Sequence, residues 1–445
     1  MHLHATLTGR TVTQLIPASG LLLLWGVPQT APVVTFASGN AKKILALPGY
    51  ALGALASMVV PRRKDLWVFG SGPGIGEGPL ALYRAAQSAE PGRRLLWLAR
   101  DDRDLAAARR LGIAAVIKSS RRGLWATLRA RVIVVSHGFG DANRYGIRGG
   151  FVVQAWHGIP LKLINLDSPA TMRTRLLPDS RIVRRMLRLM YRRAATSIDL
   201  LPAASEVSAI RLRSAFALPA GRVVVTGDPR DDVLLQGTEE SRRATARSLL
   251  FAALGTAPTG QRVLLYAPTW RDGEVDPGVP SADDWRRIAT MLEASDSLLV
   301  VRPHPHGVGD YDEGFALSDR IRLLGSSACV DVTPVLPAVY LLITDYSSIA
   351  FDFALTGRPI LFLAADATAY SASRGLYVPY DSFSGGTETA SWSELLALLA
   401  RLDSDEETRS TLQRHSEALA SAHHAYRDGR NTDRVYSEIT SRLKE

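Results

Sequence analysis

From Asp65 onward one pattern recurs: a short apolar run bounded by glycine or polar residues, then a stretch of helical character. The first series of runs covers residues 66–69, 95–98, 114–117, 132–135, 151–155, 198–201 and 223–225, with helical stretches at 80–89 and 102–111 between them. After a polar helical stretch at 239–253, a second series follows at 263–266, 298–301, 321–324, 341–344 and 360–363. Such alternation predicts an α/β fold of doubly wound parallel sheets, because parallel strands are joined by helical crossovers that cover both faces. The two series predict two Rossmann-like domains joined near residues 230–260. The expected boundaries are an apolar, basic extension at 1–64, a first domain at 65–235, a second at 236–425, and a C-terminal helix at 426–445 that can cross back to the first domain. At 445 residues and 46% apolar content the chain is long enough for two or three domains with a large core.

The extension has its own chemistry. No acidic residue precedes Asp65, and no charge lies between Arg10 and Lys42. A membrane-spanning helix needs about 20 apolar residues. The apolar run 15–36 is interrupted by Pro17, Pro28 and Pro32, and the run 44–60 is short and carries Pro48. These features predict a membrane-surface or hairpin-like segment, with Pro61-Arg62-Arg63-Lys64 at the headgroups. They do not predict a cleaved signal peptide. Between Met172 and Arg193 eight arginines face one acid, Asp179. There Ile182, Val183, Met186, Leu187 and Met190 fall on one helical face, a basic amphipathic pattern that suits an anionic membrane or a solvated surface helix. The net charge of +10 fits nucleic acid, an anionic membrane or a phosphate-rich substrate; with no aromatic–basic interleaving and no known nucleic-acid motif, nucleic acid ranks last and is not an expected partner. Cys329 is the single cysteine, so no internal disulfide forms; it is expected as a small core residue.

Ligands of open α/β sheets bind beyond the carboxyl ends of the strands. Each chemistry-bearing motif here follows an apolar run: His137 after 132–135, His157 after 151–155, Arg302 and His304 after 298–301, and Thr344-Asp345-Tyr346-Ser347-Ser348 after 339–343. A strand ending in Asp, with two serines opening the helix predicted at 349–355, is a phosphate-binding arrangement of free amides and hydroxyls. It points to a phosphorylated, nucleotide-activated donor. Plainer readings exist: Ser347 and Ser348 can cap the helix, and Asp352 can accept from a ribose or pair with an arginine. The glycine-rich run 70–78 fits neither a dinucleotide fingerprint nor a P-loop. Asp310-Tyr311-Asp312 is expected as a loop, and His415, His423 and His424 as exposed residues of a charged tail. No metal-ligand spacing is evident, and no cofactor is implied.

Trp156-His157-Gly158-Ile159-Pro160-Leu161-Lys162, Tyr266-Ala267-Pro268-Thr269-Trp270-Arg271, Arg302-Pro303-His304-Pro305 and Thr344-Asp345-Tyr346-Ser347-Ser348 occur in that order. They closely resemble the CDP-glycerol glycerophosphotransferase family, which includes teichoic-acid primases and polymerases. Thr226-Gly227-Asp228-Pro229-Arg230-Asp231-Asp232, Arg374-Gly375-Leu376-Tyr377 and Asp428-Gly429 add to the resemblance. It implies a GT-B-like architecture, two Rossmann-like domains facing across a cleft. It also implies transfer of a polyol phosphate, glycerol phosphate first and ribitol phosphate as the variant, from a CDP-polyol donor to a hydroxyl of a lipid-linked polymer acceptor. It further implies release of CMP and a peripheral location at the cytoplasmic face of the cell membrane. Carried over, His157 is the general base and His304 the second catalytic histidine, holding the donor diphosphate with Arg302. Thr344, Ser347 and Ser348 bind phosphate, and Asp352 sits near the nucleotide. Lys162, Thr269, Arg271 and Asp345 are supporting positions. The loop Ser136-His137-Gly138-Phe139-Gly140-Asp141 departs from the family's common form. A GT-B glycosyltransferase using a nucleotide sugar, and a non-catalytic membrane-surface protein, are the competing readings.

Overall fold

The computed structural model describes Asn40 and residues 46–172, 180–271, 274–305 and 307–444. The apolar run 15–36 and the arginine-bearing segment 173–179 lie outside the described residues.

Both predicted series become parallel sheets. The first sheet contains β1 (Arg63–Gly70), β2 (Arg94–Ala99), β3 (Ala115–Ile117), β4 (Ala130–Val135) and β5 (Phe151–Gln154), in the order β3-β2-β1-β4-β5. Two short strands, β6 (Leu201–Ala203) and β7 (Val223–Val225), pair beside it and join β5 through a bridge from Leu200 to Val153. The second sheet contains β8 (Arg262–Ala267), β9 (Ser297–Val301), β10 (Ile321–Leu323), β11 (Leu341–Thr344) and β12 (Ile360–Phe362), in the order β10-β9-β8-β11-β12. The two orders are the same. In each sheet the winding reverses beside the first strand, between β1 and β4 and between β8 and β11, and such a reversal opens a crevice at the carboxyl ends.

The second sheet is buried on both faces. Val263, Leu265, Val300 and Leu342 pack into one apolar cluster, while their neighbours Leu264, Tyr266, Leu299, Val301, Leu341 and Ile343 pack into another. Alternate residues point to opposite faces, so a strand covered on both sides reads as a continuous apolar run. In the first lobe Trp67, Phe69, Trp97, Val132 and Val134 form the core with Leu82 and Tyr83 of the helix Glu77–Ala89. The last helix, Asn431–Arg442, returns to this lobe and places Val435 and Ile439 in the same core.

Four local expectations are revised. His424 is buried, its Nε2 3.0 Å from the Phe351 carbonyl and its Nδ1 3.3 Å from Asp231, because the tail folds back over the helix carrying Phe351. His415 is half-buried, with Nε2 3.1 Å from the Phe383 carbonyl, and His423 is also half-buried, its ring against Phe351. Asp312 opens a short helix, Asp312–Leu317, and the buried Tyr311 hydroxyl donates to Asp276 at 2.5 Å. In the helix Arg181–Ala195 the predicted apolar stripe splits. Leu187, Val183, Met190 and Tyr191 pack around Leu166 and Met172, while Ile182, Met186 and Leu189 remain exposed among the arginines.

The helix Leu47–Val59 seats Gly53 against Tyr145, where a Cβ would lie 2.1 Å from the Tyr145 carbonyl oxygen, and exposes Leu47, Leu52, Leu55, Met58 and Val59. Among the described residues no helix is long and apolar enough to cross a membrane.

Candidate active site

At the reversal of the first sheet, β1 and β4 end side by side and deliver Ser71 and Ser136. The Ser136 and Ser71 hydroxyls reach Glu77 Oε2 at 2.9 and 2.7 Å, and His137 Nδ1 stands 3.5 Å from the same oxygen. Glu77 is the first residue of its helix and has a left-handed backbone, φ 57°, rare for a residue with a side chain. Its amide donates to Asp331 Oδ2 of the second lobe at 2.8 Å. Burial, then the charge of Asp331, pushes the Glu77 carboxyl up to about 7.

His157 follows β5 in a tight turn, with Trp156 at φ 62° and Gly158 at φ 128°. Its ring lies flat on His137, centroids 4.0 Å apart and 9° between planes, and Trp156 lies 4.2 Å from it. Nδ1 is 3.4 Å from the Ser136 carbonyl, which favours a proton there and leaves Nε2 as the acceptor. Burial, then the neighbouring His137, holds the His157 imidazole well below its ordinary pKa, so it is neutral at pH 7.

In the second lobe Asp345 directly follows β11, beside the reversal of the sheet, and is buried. It accepts the amides of Thr269 and Tyr346 at 2.8 and 2.6 Å and lies 3.1 Å from Arg271 Nη1. Arg271 also grips Asp366 at 2.8 Å and lies over the rings of Tyr346 and Tyr370. The Thr344 hydroxyl is fully buried and donates to the Ala267 carbonyl at 2.7 Å, so it braces β8 against β11. Thr269, Arg271, Thr344 and Asp345 therefore form the frame of the switch point. Ser347 and Ser348 stand at its edge. Ser348 makes no side-chain cap to its helix, Ile349–Ala354, so capping does not occupy that hydroxyl. Ser347 Oγ accepts only weakly from the Ile349 amide, at 3.5 Å.

The two lobes meet at these ends. A Cβ at Gly158 would lie 3.1 Å from Ser348 Oγ and 2.9 Å from Arg230 Nη2, so only glycine lets the His157 turn abut the serine turn. Arg230 pairs with Asp352 and, at 3.2 Å, with Asp228. Asp352 is thus held by an arginine of the inter-lobe segment, the plainer of its two readings. Burial pushes the Asp352 carboxyl up, and Arg230 opposes it. Beyond Gly158, the backbone of residues 161–163 pairs with 375–377: Leu163 N donates to Gly375 O and Tyr377 N to Leu161 O, each at 2.9 Å. Two of the motifs are stitched together in this way. The seam carries Lys162 into a desolvated place where burial lowers its pKa to about 8 and Asp345 pulls the other way.

Arg302 Nη1 donates to the carbonyls of Cys329 at 2.9 Å and Leu324 at 3.4 Å, and so steadies the loop that presents Asp331 to Glu77. Cys329 is buried, as expected. The exposed His304 ring stacks on Trp270, centroids 5.5 Å apart at 17°. With Thr269 they line a cavity of about 10 Å³, room for roughly one water. Sequence reasoning misses Glu77, Ser136 and Arg230 as site residues, although Glu77 sits in the glycine-rich run, Arg230 in a motif quoted for the family resemblance, and Ser136 opens the loop that departs from it. Among the described residues no three His, Cys, Asp or Glu side chains gather in a metal-binding group.

The chain matches the sequence profile of the CDP-Glycerol:Poly(glycerophosphate) glycerophosphotransferase family over residues 54–441. It is 26% identical over 361 residues to the teichoic acid poly(glycerol phosphate) polymerase of Bacillus subtilis (strain 168), covering 78% of this chain and 45% of that protein. It is 28% identical over 231 residues to the teichoic acid ribitol-phosphate polymerase TarK of Staphylococcus aureus, covering 51% of this chain and 42% of that protein. The chain spans less than half the length of either relative. Among solved structures it is similar to the wall teichoic acid polymerase TagF, with TM-score 0.71 and 22% identity over 91% of this chain and 96% of that one. It is also similar to MnaA of S. aureus, solved with UDP, with TM-score 0.51 and 16% identity over 85% of this chain and 96% of that one. These likenesses agree with the two sheets in showing a GT-B-like fold.

Proposed function

This chain belongs to the CDP-glycerol:poly(glycerophosphate) glycerophosphotransferase family, and from that premise we propose that it transfers a polyol phosphate, glycerol phosphate first, from a CDP-activated donor to a hydroxyl of a membrane-linked acceptor. CMP leaves, and the product extends a teichoic acid or related surface polymer. The first lobe, residues 65–235, takes the acceptor, and the second, 236–425, takes the donor.

The observation that carries this reading is the contact of the Gly158 turn with Ser348, which sets the loop of a neutral imidazole against a serine hydroxyl not engaged in capping. His157 Nε2 removes the proton of the acceptor hydroxyl as its oxygen bonds to the phosphorus bearing the polyol. The bond from that phosphorus to the CMP oxygen breaks, and the electron pair leaves with CMP. Such a base contributes about 10²–10⁴-fold. Phosphoryl transfer depends on position and on neutralising charge over the phosphate oxygens. Ser347, Ser348, Lys162, Arg302 and His304 supply hydroxyls and positive or hydrogen-bonding groups for that purpose. The helix at the serines has six residues, too short for a summed dipole to carry the site, so the side chains named here do most of that work.

We place the protein peripherally at the cytoplasmic face of the cell membrane. The support is the apolar exposure of Leu52, Leu55, Met58 and Val59, together with Ile182, Met186 and Leu189 among Arg184, Arg185, Arg188 and Arg192. The test incubates the protein with CDP-glycerol or CDP-ribitol, a lipid-linked acceptor and anionic vesicles, then measures CMP release and co-sedimentation. CMP release with either donor supports the transferase reading. No release with either donor removes it, and protein left in the supernatant removes the membrane assignment.

A further inference from the structure

Glu77 is buried, strained in its backbone and tied to Asp331, yet the transfer mechanism above gives it nothing to do. Its contacts, which include Ser136 Oγ at 2.9 Å from Ser71 Oγ, fit a directed arrangement of protons. The hydroxyls of Ser71, at 2.7 Å, and Ser136, at 2.9 Å, both donate to Glu77 Oε2. The Ser136 oxygen, its proton committed, accepts from His137 Nδ1 at 2.9 Å. A directed chain results, from His137 through Ser136 to a carboxylate. The backbone holds it in place, since the amides of Ser136 and His137 both donate to Asp141 Oδ2, at 3.1 and 2.6 Å.

The far face of His137 is the stacking partner of His157, 4.0 Å away and nearly parallel. A carboxylate that draws on the Nδ1 proton of His137 enriches the electron density of that ring. An imidazolium formed at His157 then lies face-on to an electron-rich π system, with a counter-charge one ring behind it. We propose that Glu77, acting through Ser136 and His137, is a positioning residue that stabilises the protonated His157 formed when the acceptor hydroxyl loses its proton. This inference rests on the reading of His157 as the general base.

The other charged or titratable groups around the pair oppose or modulate that effect. A charged His137 would disfavour a proton on His157, but burial, then Arg230, holds the His137 imidazole down at about 4, so that ring is neutral; Arg230 and Lys162 also disfavour a proton on His157. Asp331 makes Glu77 harder to ionise, and Asp141 holds the loop from below. With Glu77 titrating near 7, its charge is present on the alkaline side of neutrality and fades on the acid side.

The experiment compares wild type with Glu77→Gln, which keeps an acceptor oxygen and removes the charge. CMP release is followed across pH, and the histidine ring carbons are followed by NMR in ¹³C-labelled protein. The expected result is a kcat lowered by about tenfold with donor KM nearly unchanged. The wild-type acid limb near pH 7 is absent from the variant, and its His157 resonance titrates at lower pH. Ser136→Ala, which removes the bridge and leaves the carboxylate, moves both readouts the same way and decides the matter if Glu77→Gln melts early. Wild-type kcat, pH profile and His157 titration in the folded variant overturn the proposal. A shifted His157 titration in a protein that releases no CMP upholds the coupling and removes the transferase reading instead.

Discussion

The two lobes share one strand order and treat their switch points in opposite ways. In the first lobe the strand ends hold groups that can gain or lose a proton: Glu77, His137 and His157, linked by serine hydroxyls and one stacked pair of rings. In the second, the carboxylate of Asp345, beside the reversal, is locked by Arg271 and two amides, and Ser347, Ser348 and His304 stand at the margin. Under the proposed function, one topology supports a lobe arranged for proton transfer and a lobe arranged to hold an anion. The difference lies in the turns at the strand ends, since the strands themselves are alike.

Substitutions that separate rate, stability and donor binding test that contrast. The largest expected effect is on His157→Ala, with kcat for CMP release reduced by about 10²–10⁴-fold and thermal stability nearly intact. A variant that keeps full rate removes the division between the lobes. Asp345→Ala leaves two desolvated amides and half of Arg271's pairing behind, so urea unfolding should show a loss of about 3–5 kcal/mol. A loss under about 1 kcal/mol would mean that Asp345 is not the frame of the second lobe. Ser348→Ala should raise donor KM by roughly tenfold, with a smaller change in kcat, since it removes one hydroxyl from an anion site. Equal losses in kcat and kcat/KM would instead assign Ser348 to the transition state.

The smallest effect concerns the joint between the lobes. Burial disfavours charge on His424, but the Asp231 carboxylate and the Phe351 carbonyl outweigh it and raise its pKa. Stabilisation by this histidine is therefore full below the unfolded value of about 6.5, and it is lost as pH rises through the folded value. Melting curves between pH 6 and 8.5 should show wild type losing stability relative to His424→Gln as pH increases. Parallel curves would mean that the histidine is neutral throughout.

Much of the fold is written locally. The apolar runs become strands within a residue or two at most positions, such as 132–135 inside Ala130–Val135 and 341–344 as Leu341–Thr344. His157, Ser347 and Ser348 are legible because each comes directly after such a run. Glu77 is hidden in a glycine-rich stretch that matches no known phosphate loop. His137 stands alone until the fold lays it against His157. The amphipathic stretch 182–190 is helical, as its periodicity predicts, but which apolar residues face inward depends on where Leu166 and Met172 arrive.

Taken by itself, the order of residues determined the two sheets, their helical crossovers and the serine turn, because apolar periodicity and helix-starting residues act over a few positions. Tertiary structure alone decided which distant groups meet: the Glu77 amide with the Asp331 carboxylate, 254 residues apart, and Arg230 with Asp352, 122 apart. The physical reason is that a buried charge finds its partner only through the approach of distant loops, and no short-range pattern records that approach.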